Sequence, residues 1–249
     1  MKVAVTGKGG VGKTTVSAFL ARCWRDLGHP VVAVDADPDA NLAGTLGYGG
    51  PAIVPLSKLK QLIEERVGGG DAWGGFLRMN PRVDDIPLEF GVMIDGIRLL
   101  VMGIIERGGS GCACPANVLL REVLNHLLLR NLEHVVVDME AGIEHLGRGT
   151  AEGVDEMLVV VEPGWASMET AARVTALAQH LGLRRIWAIA NKLAGPDDLD
   201  FITAHLPGLP LLGVLPLDRE LELEARAGRI SRDRPFYKEM LRIAHTLAS

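Results

Sequence analysis

Cysteine is scarce in this sequence: three in 249 residues, too few and too odd a number for the disulfide framework of a small secreted domain. The count points instead to a reducing compartment or to metal chemistry. Excess positive charge is also missing. Against 26 Lys and Arg stand 31 Asp and Glu, a formal net charge of -5, which argues against a chain held to nucleic acid by charge alone. No apolar run approaches the ~18–20 residues that span a bilayer, and the apolar part of Met1–Gly10 (MKVAVTGKGG) is too short for a secretory signal. Internal repeats and low-complexity linkers are absent too. The expectation is a soluble, cytoplasmic protein with no nucleic-acid or membrane partner. Against about 100–200 residues for a typical domain, residues 1–249 suit a single one that buries its core without staples.

What the sequence does have is a recurrence of short runs rich in Val, Ile and Leu. They predict strands at Lys2–Thr6, Val31–Val34, Arg98–Met102, His134–Asp138, Met157–Val161, Arg185–Asn191 and Leu211–Leu215. Runs this uniformly apolar belong in a sheet covered on both faces. Helix-period segments such as Thr14–Leu27, Pro115–Arg130 and Ser167–Leu181 lie between them. The alternation implies an α/β fold: a doubly wound, mainly parallel sheet of seven to eight strands with helices on both faces. Gly68–Gly91, rich in Gly, Pro and Asp, reads as a long surface loop that is mobile or ordered by a partner. Pro235–Ser249 places Phe236, Met240, Ile243, Ala244 and Leu247 on one helical face, which packs on its own domain. Its few cations, Lys238 and Arg242, do not favour a membrane anchor.

Gly7–Thr14 reads GKGGVGKT and fits G-x-x-x-x-G-K-[ST] between a strand and a helix. Glycines let backbone N–H groups turn inward around phosphate oxygens, and the helix N-terminus adds favourable partial charge. The nucleotide-binding stretch is Gly9, Gly10, Val11, Gly12, Lys13, Thr14 and Thr15, with Lys13 neutralising the β- and γ-phosphates and the Thr14 hydroxyl ligating Mg²⁺. The chain has 19 arginines and only seven lysines, yet Lys2, Lys8 and Lys13 fall in its first 13 residues. A lysine inside a tight glycine loop suggests a need for a compact point charge. Lys13 meets that need, but an ordinary P-loop does not require Lys8. With it the loop resembles the deviant Walker A (KGGxGK[ST]) ATPases, the group of partition ATPases and nitrogenase iron protein. That resemblance implies that Lys8 reaches across a dimer interface to the partner's nucleotide, in the manner of an arginine finger supplied in trans.

Two acidic segments extend the set. Val34–Leu42 reads VDADPDANL; by the same resemblance Asp37 occupies the switch I position that orients the attacking water, and Asn41 stands where a second carboxylate is often found. Asp35 and Asp39 hold Mg²⁺ through waters or simply end the strand and form turns. In VVVDMEAG, Val135–Gly142, three β-branched residues deliver Asp138 to the carboxyl end of a strand, where a Walker B carboxylate meets Mg²⁺ through water. Gly142 permits the following loop to move. Asn191-Lys192-Leu193-Ala194 resembles the NKxD guanine motif without its carboxylate, so ATP, with Asn191 on the base, fits better than GTP. Pro216 and Asp218, in GVLPLD, resemble the family's adenine-flanking loop.

The cysteines divide. Cys23 falls among Val16, Phe19, Leu20 and Leu27 as a structural core thiol. Cys112 and Cys114 lie in GGSGCACP ahead of a helix, with Pro115 suited to the first helical position and Cys114 near the N-cap, where thiolate is favoured. One chain supplies two ligands and a closed tetrahedral site takes four, so a two-fold dimer that brings both loops to its axis makes a Cys₄ site. The deviant P-loop, VDADPDANL, CACP, VVVDMEAG and the ANK segment, in this order, resemble the CooC-type accessory ATPases of carbon monoxide dehydrogenase. The resemblance implies a homodimer binding Ni²⁺ or Zn²⁺ through paired Cys-x-Cys motifs, with carbon monoxide dehydrogenase as its client for nickel insertion. Thiolates accept both metals. There is no His-rich nickel store, and His126 and His180 lie in helical segments as structural or surface residues. The alternatives are an iron–sulfur reductase or carrier, disfavoured by both cysteines lying in one loop, and a partition or positioning ATPase, disfavoured by the lack of a basic face.

Overall fold

The computed structural model describes residues 1–68, 77–103, 115–129, 133–141, 153–206, 208–226 and 231–248. Their strands form one eight-stranded sheet: β1 (Lys2–Gly7), β2 (Val31–Asp35), β3 (Val92–Ile94), β4 (Ile97–Val101), β5 (His134–Asp138), β6 (Glu156–Val161), β7 (Ile186–Leu193) and β8 (Leu211–Pro216), in the order β3-β4-β2-β5-β1-β6-β7-β8. All pairings are parallel except β3 with β4. Every residue of β1, β2 and β6 is buried, as β-branched runs in a sheet covered on both sides must be.

Two apolar clusters, one on each face, follow from the helix periodicity. On the first face lie α1 (Lys13–Asp26), the short α2 (Leu42–Thr45) and the C-terminal α9 (Pro235–Ala248). On the second lie α3 (Lys60–Val67), α4 (Ile86–Phe90), α5 (Pro115–Leu129), α6 (Trp165–His180) and α7 (Pro196–His205). One further helix, α8 (Arg219–Arg226), precedes α9. The apolar stripe of α9 packs onto α1, as its pattern predicts. Phe236 meets Phe19 edge-on at 4.8 Å, and the Trp24 indole donates to the Ala244 carbonyl at 3.1 Å. Cys23 is wholly buried in the same cluster, and burial pushes its thiol up to about 12.

The segment read as a loose loop over Gly68–Gly91 is different from residue 77 onward. Gly68 bridges to Leu77, Val83 and Ile86 enter the core, and Arg66 grips Asp85 through two hydrogen bonds of 3.1 and 2.7 Å. Residues 69–76 lie outside the described residues. A few isolated buried apolar residues, Val83 and Ile86, in a stretch rich in Gly, Pro and Asp leave no period to detect. Edge strand β3 was equally hidden: it has three residues, and Met93 faces outward. Its hairpin signal was present in Asp95-Gly96, both at positive φ (46° and 79°).

Candidate functional site

The carboxyl ends of five adjacent strands carry the candidate residues. In spatial order these are β2 (Asp35, then Asp37), β5 (Asp138), β1 (the glycine loop), β6 (then Glu162) and β7 (Asn191, Lys192). This is the edge where open α/β sheets bind ligands. β5, inserted between β2 and β1, sets Asp138 level with Asp35 in register, and Gly7 sits opposite Val160.

The loop between β1 and α1 is shaped by backbone crowding. A Cβ on Gly7 would run into the Val160 carbonyl, and one on Gly12 (φ +97°) would collide with the Asn191 amide. Val11 is buried and pins the loop tip, while the Asn191 side-chain amide donates to the Val11 carbonyl at 2.8 Å. In this arrangement Asn191 buttresses the loop. α1 then begins at Lys13 with its N-terminal amides toward the cavity, the partial positive charge that favours phosphate.

That cavity, of about 520 Å³, is lined by Gly10, Gly12, Lys13, Thr14, Asp37 and Glu140 among others. Lys13 is only 8% exposed, with its Nζ 3.8 Å from Asp37 Oδ2. Asp37 closes an Asx turn by accepting from the Asp39 amide at 3.1 Å, and Ala40 at φ 45° completes the bend. Asp35 holds this turn from below, accepting from the Leu42 amide at 2.9 Å and the Asp37 amide at 3.3 Å. Burial pushes Asp35 up to about 7, with the charge of Asp138 adding to the rise.

Asp138 is wholly buried, and burial lifts it to about 6 against the pull of the Thr14 and Ser17 hydroxyls and Lys13. Its Oδ1 accepts from Ser17 at 3.0 Å, but its Oδ2 has no hydrogen-bond partner among the described residues. An orphaned, buried carboxylate oxygen beside a phosphate-shaped loop fits a hydrated divalent cation. Thr14 and Asp138 are therefore the residues that could hold Mg²⁺. Ser17 was missed from sequence, although its place one turn beyond Thr14 puts both on one helix face.

Glu162 was also missed, and nothing local in the sequence marks it. Its carboxylate lies 3.7 Å from Lys8 Nζ and 3.3 Å from Lys192 Nζ, and Lys192, at φ 62°, also donates to the Gly10 carbonyl. Lys8 is thus paired within its own chain, on a half-exposed side chain. Asp218 caps α8 by accepting from the Glu220 and Leu221 amides at 3.1 and 3.0 Å and pairs with Arg234, while Pro216 ends β8 beside Leu193. Cys112, Cys114 and Gly142 lie outside the described residues. Among the described residues no group of three or more His, Cys, Asp or Glu forms a metal-binding cluster, and no helix is long and apolar enough to cross a membrane.

Known proteins are similar to this chain in sequence and in fold. The CobQ/CobB/MinD/ParA nucleotide-binding domain family matches residues 2–230. The carbon monoxide dehydrogenase accessory protein CooC of Rhodospirillum rubrum is 49% identical over 231 residues, covering 92% of this chain and 88% of that protein. An uncharacterized ATP-binding protein of Methanocaldococcus jannaschii is 48% identical, covering 89% of this chain and 87% of its own. Among solved structures, a ParA family ATPase from Chlorobium tepidum superposes with a TM-score of 0.72 at 18% identity, covering 99% of this chain and 98% of that one. MinD of Aquifex aeolicus superposes at 0.69 and 22% identity, covering 100% and 97%. At such identities the likeness is one of fold.

Proposed function

This chain belongs to the CobQ/CobB/MinD/ParA nucleotide-binding domain family, and from that premise we propose that it is a metallochaperone ATPase supporting nickel insertion into carbon monoxide dehydrogenase. That it is an ATPase follows from the family and the fold. The observation that carries the reading is that Lys13, Thr14 and Asp37 line one cavity at the mouth of the glycine loop, with the half-unpartnered Asp138 buried against Ser17 of the same helix.

In this reading Lys13 and the loop amides bind the β- and γ-phosphates, and Asp37, held by its Asx turn, orients the attacking water. Thr14, and Asp138 through water, would hold Mg²⁺, which would supply charge neutralisation at those phosphates. Lys8 acts across a homodimer interface on the partner's nucleotide. Its pair with Glu162 is long and solvent-screened, worth at most about 1 kcal/mol, so Lys8 leaves it readily. ATP is favoured over GTP because Ala194 offers no carboxylate to a guanine. Asn191, Pro216 and Asp218 flank the adenine.

The cargo is Ni²⁺ or Zn²⁺, held between two subunits by Cys112 and Cys114 of each, a Cys₄ set. The nucleotide state clamps or relaxes the dimer and thereby holds or releases the ion, in the cytoplasm. A reconstitution tests this: nickel-free carbon monoxide dehydrogenase is incubated with limiting Ni²⁺, ATP and this protein. The reading expects activation that requires ATP and is lost with Lys13→Ala. Activation equal to that by Ni²⁺ alone contradicts it.

A further inference from the structure

At the end of α1 far from the glycine loop, the charges do not balance. Arg22 is 7% exposed, and its Nε is wholly buried with no hydrogen-bond partner among the described residues. A guanidinium stays charged in proteins, and a buried cation is normally held by a carboxylate. Two carboxylates lie nearby, and both are engaged. Asp26 Oδ1 accepts from Arg25 Nε and Nη2 at 2.9 and 2.7 Å and from Arg232 Nη2 at 3.0 Å, while its Oδ2 accepts from the Tyr237 hydroxyl. Asp95 accepts from Arg25 through its carboxylate and, at 2.8 Å, through its backbone carbonyl. Burial, and next the charge of Arg25, hold the Arg22 guanidinium below its ordinary value.

These six side chains border a cavity of about 320 Å³ between α1, the β3–β4 turn and the start of α9. Among the described residues, three guanidiniums against two carboxylates leave one positive charge facing an open volume. We infer that this cavity binds a phosphate-type oxyanion, at a site separate from the nucleotide phosphates. Guanidinium forks match the oxygens of such a group in pairs. A carboxylate ligand would meet Asp26 and Asp95 with like charge and nothing to donate. A phosphate, with a second pKa of about 6, keeps a proton part of the time and can donate it to the Asp95 carboxylate, which is 70% exposed. At about 1.5 Å per residue, the α1 residues that line this cavity, Arg22 to Asp26, lie roughly 14–20 Å along the helix from Lys13.

The separation makes the site testable with the P-loop blocked. The full-length protein, saturated with Mg²⁺-ADP, is titrated with inorganic phosphate by thermal unfolding and calorimetry, with potassium chloride and acetate at equal ionic strength as controls. The expected result is a saturable rise in Tm with phosphate alone, absent in Arg22→Met and weakened about tenfold in Arg232→Ala, which removes one charge-assisted donor from an exposed position. Glycerol 3-phosphate run in parallel shows whether the group enters free or carried as an ester. If Arg22→Met does not fold, Arg232→Ala decides alone. No phosphate-specific rise, a rise that acetate reproduces, or one unchanged in Arg232→Ala overturns the inference.

Discussion

Replacing Asp138 by Asn should make the nucleotide-free protein more stable while abolishing its hydrolysis. Burial lifts the Asp138 carboxylate from 3.8 to about 6 in the folded chain. At 1.36 kcal/mol per pKa unit, the ionised group therefore costs about 3 kcal/mol of folding stability. Because the folded pKa is raised, stability is whole below pH ~4 and is lost as pH rises through about 6. Asn carries no such charge, and its Oδ1 still accepts from Ser17. For a chain of this size 1 kcal/mol corresponds to about 2–4 °C, so Asp138→Asn should raise Tm by roughly 6–12 °C at pH 8. At pH 5, about midway between the unfolded and folded pKa values, the gain should fall to roughly half, and it should vanish only near pH 3.8 and below. The measurements are thermal unfolding in EDTA at both pH values and Mg²⁺-dependent ATP hydrolysis, expected to fall at least about 100-fold. A variant no more stable than wild type at pH 8, an equal gain at pH 5, or retained hydrolysis would refute the reasoning.

Lys8→Ala should lower hydrolysis at least about 100-fold, as for a cation supplied in trans, while ATP affinity moves little; a parallel loss of affinity in titrations would show that Lys8 acts on its own chain's nucleotide. Its effect on stability should stay within about 1 kcal/mol, because the pair with Glu162 is screened. Trp24→Phe keeps most of the apolar packing between α1 and α9 but leaves the Ala244 carbonyl without its donor. Urea denaturation should register a loss of about 1–3 kcal/mol, and no loss would mean that water takes the indole's place.

The sheet was legible because its strands are buried on both faces and so read as unbroken apolar runs. His134–Asp138 is found as expected, and Lys2–Thr6, Val31–Val34 and Leu211–Leu215 each extend by one residue. The glycine loop was legible because phosphate binding demands residue types at fixed spacing. Less visible were contacts made at a distance in sequence. Glu162 meets Lys8 only because β6 lies beside β1, and Asp35 steadies the Asp37 turn through its side chain rather than by any pattern of neighbours. The segment after Gly68 misled for a related reason. Its glycines and prolines signal irregular backbone, yet that backbone buries Val83 and leads into the short α4, which buries Ile86.

The proposed metal site needs two cysteines from this chain and two from a second copy of it. Metal content and oligomeric mass, measured with and without ATP for wild type and the double variant Cys112→Ala/Cys114→Ala, address it directly. Wild type should form a dimer that retains Ni²⁺ or Zn²⁺ at one ion per two chains. In the double variant the metal and the metal-driven dimerisation should be lost while nucleotide binding survives. An unchanged metal-dependent dimer in the double variant would contradict it.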